Sequence, residues 1–191
     1  MKLILLILFS VCFEFSKCQT INNLPKVDNA GWVEYNYILK SQNELHLQTL
    51  LRYTNRTVLR FWRFTNFMSS LTEISKTGVK WDVIKYNFKL HIGQKLSLSN
   101  ISQAKPSTRV NLDSFLTRVT KLGFDTLAVQ DNIKLEDVLV DGVLYCFEFS
   151  DKSKYNFYCY SNPISQKDKY PQANIVSAIL KELEAVINIQ K

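Results

Sequence analysis

Val143-Leu-Tyr-Cys146-Phe-Glu148-Phe-Ser150-Asp151-Lys-Ser-Lys154-Tyr155-Asn-Phe-Tyr-Cys159-Tyr160 is the stretch whose reading decides the fold. Two arms rich in aromatic residues flank a polar tetrapeptide, Asp151 to Lys154, which is the composition of an antiparallel hairpin. If Lys152-Ser153 is a two-residue loop, Asp151 faces Lys154 and Cys146 falls opposite Cys159. Hydrogen-bonded and non-hydrogen-bonded pairs alternate along such a ladder, and the count puts the cysteines on a non-hydrogen-bonded pair. There Cα atoms lie about 4.5 Å apart, at the lower end of the range a disulfide spans. The sequence therefore predicts a Cys146–Cys159 bridge in an oxidising compartment.

Working outward, Leu135–Val140 reads as a third strand, joined to Val143–Ser150 by Asp141-Gly142, a strong short hairpin signal. Ser161-Asn-Pro163 ends the meander, because Pro cannot donate to a ladder. After Pro171 a helix is predicted to the C-terminus, with Ile175, Val176, Ile179, Leu180, Leu183, Val186 and Ile187 on one face, covering the sheet. Upstream, Asn111 or Asp113 caps a mid-chain helix whose stripe is Phe115, Leu116, Val119 and Leu122, and Gly123 stands where a C-terminal glycine belongs.

The first half reads mainly as strands. Val33, Tyr35 and Tyr37 alternate with polar residues, as do Leu45, Leu47, Thr49, Leu51 and Tyr53, although Leu47, Leu50 and Leu51 also fit a short helix. Val58–Phe64 follows. In Trp81–Leu90 the residues Ile84, Tyr86, Phe88 and Leu90 face one way and Lys85, Asn87 and Lys89 the other, which predicts a sheet with one buried and one solvated face. The fold class is α+β: antiparallel sheet, a mid-chain helix and a C-terminal amphipathic helix packed on the sheet.

Residues 1–18 read as a secretory signal peptide: a Lys2 n-region, an apolar run from Leu3 to Phe9, and small residues Ser16 and Cys18. Cleavage after Cys18 would leave residues 19–191 as the mature chain. Lipidation of Cys18 is the rival reading, but the preceding position holds Lys17 rather than a small residue; an uncleaved anchor is the third. No later stretch has membrane-spanning length. The expected location is outside the cell, in the periplasm or in the cell envelope.

The chain carries a net charge of +7, placed unevenly. From Lys40 to Arg109 twelve Lys or Arg meet three acids, whereas from Asn111 onward acids outnumber bases. The break falls at Ser102-Gln-Ala-Lys-Pro106-Ser-Thr, which suggests two lobes, a basic β-rich half over 19–105 and a helix–meander–helix half over 106–191.

No metal-ligand spacing, cofactor motif or catalytic signature is present, and His46 and His91 each stand without a partner at ligand spacing. Asn55-Arg-Thr57 and Asn100-Ile-Ser102 match the glycosylation pattern, which chance supplies at this composition. Glu148 between Phe147 and Phe149 is the acid best placed for burial, and a small hydrolase working through carboxylates is the alternative reading. The leading one is a non-enzymatic binding protein for an anionic polymer or a cell-envelope component. Arg52, Arg56, Arg60 and Arg63, interleaved with Tyr53, Phe61, Trp62 and Phe64, and joined by Lys85 and Lys89, are the candidate contacts.

Overall fold

The computed structural model describes residues 20–22, 33–50, 56–92, 95–108, 110–127 and 142–187. The leader, Leu51, Arg52 and Tyr53 at the end of the strand read from Leu45, and the strand read over Leu135–Val140 with its Asp141 turn residue lie outside the described residues.

The elements, in chain order, are β1 (Thr20–Asn22), α1 (Val33–Glu44), β2 (Thr57–Phe64), β3 (Ser69–Thr77), β4 (Lys80–His91), β5 (Ser97–Ala104), α2 (Leu112–Lys121), β6 (Leu144–Ser150), β7 (Lys154–Ser161), α3 (Pro163–Gln166) and α4 (Pro171–Ile187). The strands make one sheet in the order β1-β7-β6-β2-β3-β4-β5, with helices packed on it, an α+β fold. Six strands pair antiparallel, and β1 adds to the edge parallel to β7. Strands from both sides of Pro106 share this sheet, because β2 sits between β3 and β6.

The β6–β7 hairpin has the expected register, Cys146 opposite Cys159, and the two form a disulfide with Cα atoms 4.1 Å apart. Its loop is two residues long. The backbone N–H of Asp151 donates to the Lys154 carbonyl at 3.0 Å, and the Asp151 carboxylate accepts from the backbone N–H groups of Ser153 and Lys154. An aspartate that caps its own turn in this way fixes the register that the cysteines need.

Two helices form as their sequence signals imply. Asn111 caps α2, its side-chain oxygen accepting from the Ser114 N–H at 2.9 Å, and Gly123 just beyond the helix adopts φ +88°. Val176, Ile179, Leu180, Leu183 and Val186 of α4 pack with Phe115 and Val119 of α2 on Phe61, Phe147, Phe149 and Tyr158 of the sheet. Phe124 stands edge-on to Phe147, Phe149 and Tyr158 in this core.

Two expectations are corrected. Val33, Tyr35 and Tyr37 belong to a helix, not a strand, and no strand occurs over residues 45–50. Among the described side chains Ile38, Ser41, Gln42 and Leu45 are buried, and their spacing is helical; five alternating residues at the start masked a stripe that contains a serine and a glutamine. The helix stops at His46 (φ 54°), with Leu47 N–H bonded to Gln42 C=O and His46 N–H to Asn43 C=O. That is the hydrogen-bond pattern glycine usually closes, here built on a histidine.

The second correction follows from the first. The sheet does not keep one solvated face. With α1 in place, a second core of Ile38, Leu45, Leu50, Val58, Trp62, Phe64, Leu71, Phe88, Tyr155 and Phe157 fills the side opposite α2 and α4. Side chains alternate across the pleat, so each central strand feeds both cores.

Candidate functional site

Strand register sorts the six candidate cations. Arg60 lies directly opposite Glu148 on β6 and Glu73 on β3. Read from the sequence as a surface contact, it is instead fully buried beneath α1, at 0% exposure. Its Nε donates to Glu73 Oε2 at 2.8 Å, one Nη donates to the Gln48 carbonyl at 2.9 Å, and the other lies 3.9 Å from Glu148 Oε2. Arg56 shares this face and reaches Glu73 at 3.7 Å. Arg63, three residues after Arg60, points to the opposite face, because an odd spacing along a strand reverses the side chain.

Glu148 itself is 1% exposed. Its carboxylate accepts from Trp62 Nε1 at 2.7 Å, Tyr155 Oη at 2.9 Å, and Gln42 Nε2 at 2.9 and 3.0 Å. Burial, reinforced by the Glu148 charge, pushes the Tyr35 hydroxyl up to about 12 and holds Tyr155 well above the ordinary tyrosine range. This is a closed polar cluster. Both carboxylate oxygens of Glu148 are engaged by these donors, while the Gln42 Oε1 and one Arg60 Nη in the same cluster are buried without a hydrogen-bond partner, and neither cleft described below reaches Glu148. The buried acid expected at Glu148 is there, enclosed under α1.

The open side is the other face. There α2 and α4 cover β7, β6, β2 and, at Ile74 and Val83, part of β3 and β4; a cleft of about 320 Å³ opens where α4 ends. Arg63, Ser70, Thr72, Lys85, Asn87 and Tyr145 line it from the sheet, and Leu180, Leu183, Glu184 and Ile187 from α4. Lys89 continues the row of Lys85 and Asn87 along β4 and is exposed. The next strand contributes Ser102 opposite Asn87 and Ser99 opposite Lys89. Among the described residues Arg63, Lys85 and Lys89 make no ion pair. Structure thus brings together three of the six candidates, separates Arg56 and Arg60 from them, and leaves Arg52 outside the described residues. A platform of cations, hydroxyls and an amide, with one carboxylate at its rim, can accept phosphate, sulfate or carboxylate groups.

A second, shallower cleft of about 360 Å³ lies between the β3–β4 and β6–β7 turns, lined by Arg56, Lys76, Gly78, Asp151 and Lys152 among others. Lys76 in it is already bonded to Asp113 at 2.5 Å. Sequence reasoning passed over the hydroxyl row of β5 and the whole of β3. The available signal for β3 was Thr77-Gly78-Val79-Lys80, a two-residue turn with Gly78 at φ +60°. Among the described residues no three His, Cys, Asp or Glu side chains gather as metal ligands, and no helix is long and apolar enough to cross a membrane.

Comparison with protein-family models, with curated proteins and with solved structures finds no significant match. What the chain presents is its own geometry: an α+β protein with a disulfide-bonded hairpin, a core on each face of the sheet, and a basic cleft beside α4.

Proposed function

We propose that the protein is exported, loses residues 1–18, and works as a non-enzymatic binding protein for an anionic polymer or envelope component. The open sheet face beside α4 would be the contact surface. The observation that carries this reading is that Arg63, Lys85 and Lys89 stand on that face unpaired, with Glu184 the acid at its rim. Cations held apart from carboxylates keep their full attraction for an anion, whereas surface ion pairs would spend it. The Cys146–Cys159 bridge supports the exported location, because disulfides persist in oxidising compartments. Strand β1 begins at Thr20, so cleavage after Cys18 would leave the edge strand whole.

The test is retention on heparin and on DNA with a salt gradient. Arg63→Gln with Lys89→Gln should elute earlier on both, and the log–log salt slope on DNA should fall by about one per phosphate contact removed. A wild-type protein that passes unretained at low ionic strength overturns the reading.

A further inference from the structure

The end of the sheet beside the α4 cleft carries apolar side chains that neither core uses. Phe67 is 86% exposed, Met68 45% and Ile92 67%. Phe67 and Met68 form the tip of the β2–β3 turn, and Ile92 follows β4 directly. Because Ser69 pairs with Phe88, that tip projects beside the strand end that carries Lys89, His91 and Ile92. The turn is not slack. Thr65 Oγ1 donates to the Met68 carbonyl at 2.7 Å and accepts from the N–H groups of Phe67 and Met68, and the Ser69 hydroxyl accepts from Thr65 N–H. The hydrogen-bonded turn thus fixes the backbone that carries this exposed phenylalanine beside Met68.

The charge around this tip is mainly positive. Arg63 precedes the turn, Lys89 ends the basic row, and Lys95 enters β5 at the same end. The sequence holds no acid between Glu44 and Glu73 or between Asp82 and Asp113, so both strand connections are free of carboxylates. Among described neighbours, α4 brings Glu184 to the cleft. Apolar side chains at a rigid tip ringed by cations are complementary to a surface that is anionic outside and apolar a few ångströms beneath. A dissolved polyanion would satisfy the cations and leave Phe67 and Ile92 in water. A second copy of the chain would set Arg63, Lys89 and Lys95 against their own kind.

We propose that this end of the sheet docks on an anionic lipid bilayer. Phe67, Met68 and Ile92 enter the boundary between headgroups and acyl chains, while Arg63, Lys89 and Lys95 meet the headgroup phosphates. The inference rests on the anion-binding reading above and names its partner.

The experiment is co-sedimentation of the folded, oxidised protein with phosphatidylglycerol-rich vesicles and with phosphatidylcholine vesicles, alongside the heparin column. Binding is expected on the first lipid and not on the second. Phe67→Ser with Ile92→Ser, both at exposed positions that leave the cores intact, should lower vesicle partitioning at least tenfold with heparin elution and thermal midpoint unchanged. Arg63→Gln with Lys89→Gln should lower partitioning roughly thirtyfold and shift heparin elution as well. Retention on heparin without vesicle binding overturns the lipid assignment and leaves the anion-binding reading standing; absence of both overturns both. Vesicle binding that ignores the Phe67 and Ile92 changes, or a dimer in sedimentation equilibrium that those changes dissolve, overturns the docking of this tip on lipid.

Discussion

Replacing Glu148 tests whether the polar cluster under α1 holds that helix to the sheet. In Glu148→Ala the Trp62 indole N–H, the Tyr155 hydroxyl and the Gln42 amide lose their acceptor, all inside a layer closed to water. Each unsatisfied buried donor costs about 1–3 kcal/mol, and breaking a buried ion pair about 3–5. These do not add, because Arg60 keeps Glu73 at 2.8 Å and a water can enter the vacated space. The expected loss is about 5 kcal/mol, a large part of the roughly 5–15 available to a domain. Glu148→Gln keeps the shape and one good acceptor, so about 2 kcal/mol should go. Exposed Glu184→Gln serves as the control, within about 0.5 kcal/mol of wild type. Urea denaturation followed by circular dichroism reads these directly; at an m-value near 2 kcal/mol/M the alanine variant's midpoint should fall by about 2.5 M. A loss below about 1 kcal/mol for Glu148→Ala would show that this carboxylate is solvated, and the enclosed cluster would have to be abandoned.

Three further outcomes are expected. Burial raises Tyr35 and Tyr160 to about 12 and holds Tyr155 and Tyr158 well above the ordinary tyrosine range, so the folded chain holds phenol protons that the unfolded chain releases near pH 10; stability should be intact below that pH and fall as pH climbs toward 12, with the phenolate absorbance of these four tyrosines appearing together with loss of structure rather than before it. Non-reducing peptide mapping should join the Cys146 and Cys159 peptides, and Cys146→Ser with Cys159→Ser should cost on the order of 3 kcal/mol for so short a loop, a change under about 1 kcal/mol arguing against the stabilising role. Intact-mass spectrometry of protein from its native host should give a chain beginning at Gln19 without an acyl group; a diacylglyceryl Cys18 would refute the cleavage site.

Local pattern alone carried the β6–β7 register, the Cys146–Cys159 bridge, the capped α2 and the amphipathic α4, because each is set by residues within one turn or one hairpin of each other. A turn aspartate, a cap asparagine and a 3.6-residue stripe act at short range. The α1 helix was hidden because two of its buried positions are Ser41 and Gln42, polar side chains that earn burial only once Glu148 and the underlying sheet are present.

The charged residues show the same division. Period-two alternation states that Arg60 and Arg63 point to opposite faces, yet it is silent on which face a helix will cover. That was decided by pairings distant in sequence, β2 between β3 and β6, which bring Glu73 and Glu148 against Arg60 from both sides and draw it into the core. The same topology leaves Arg63, Lys85 and Lys89 in the open beside Phe67. Sequence determined which residues are cations and how each strand alternates; only the tertiary arrangement decided which of those cations keep water, because burial is a property of what packs across the strand and not of the strand itself.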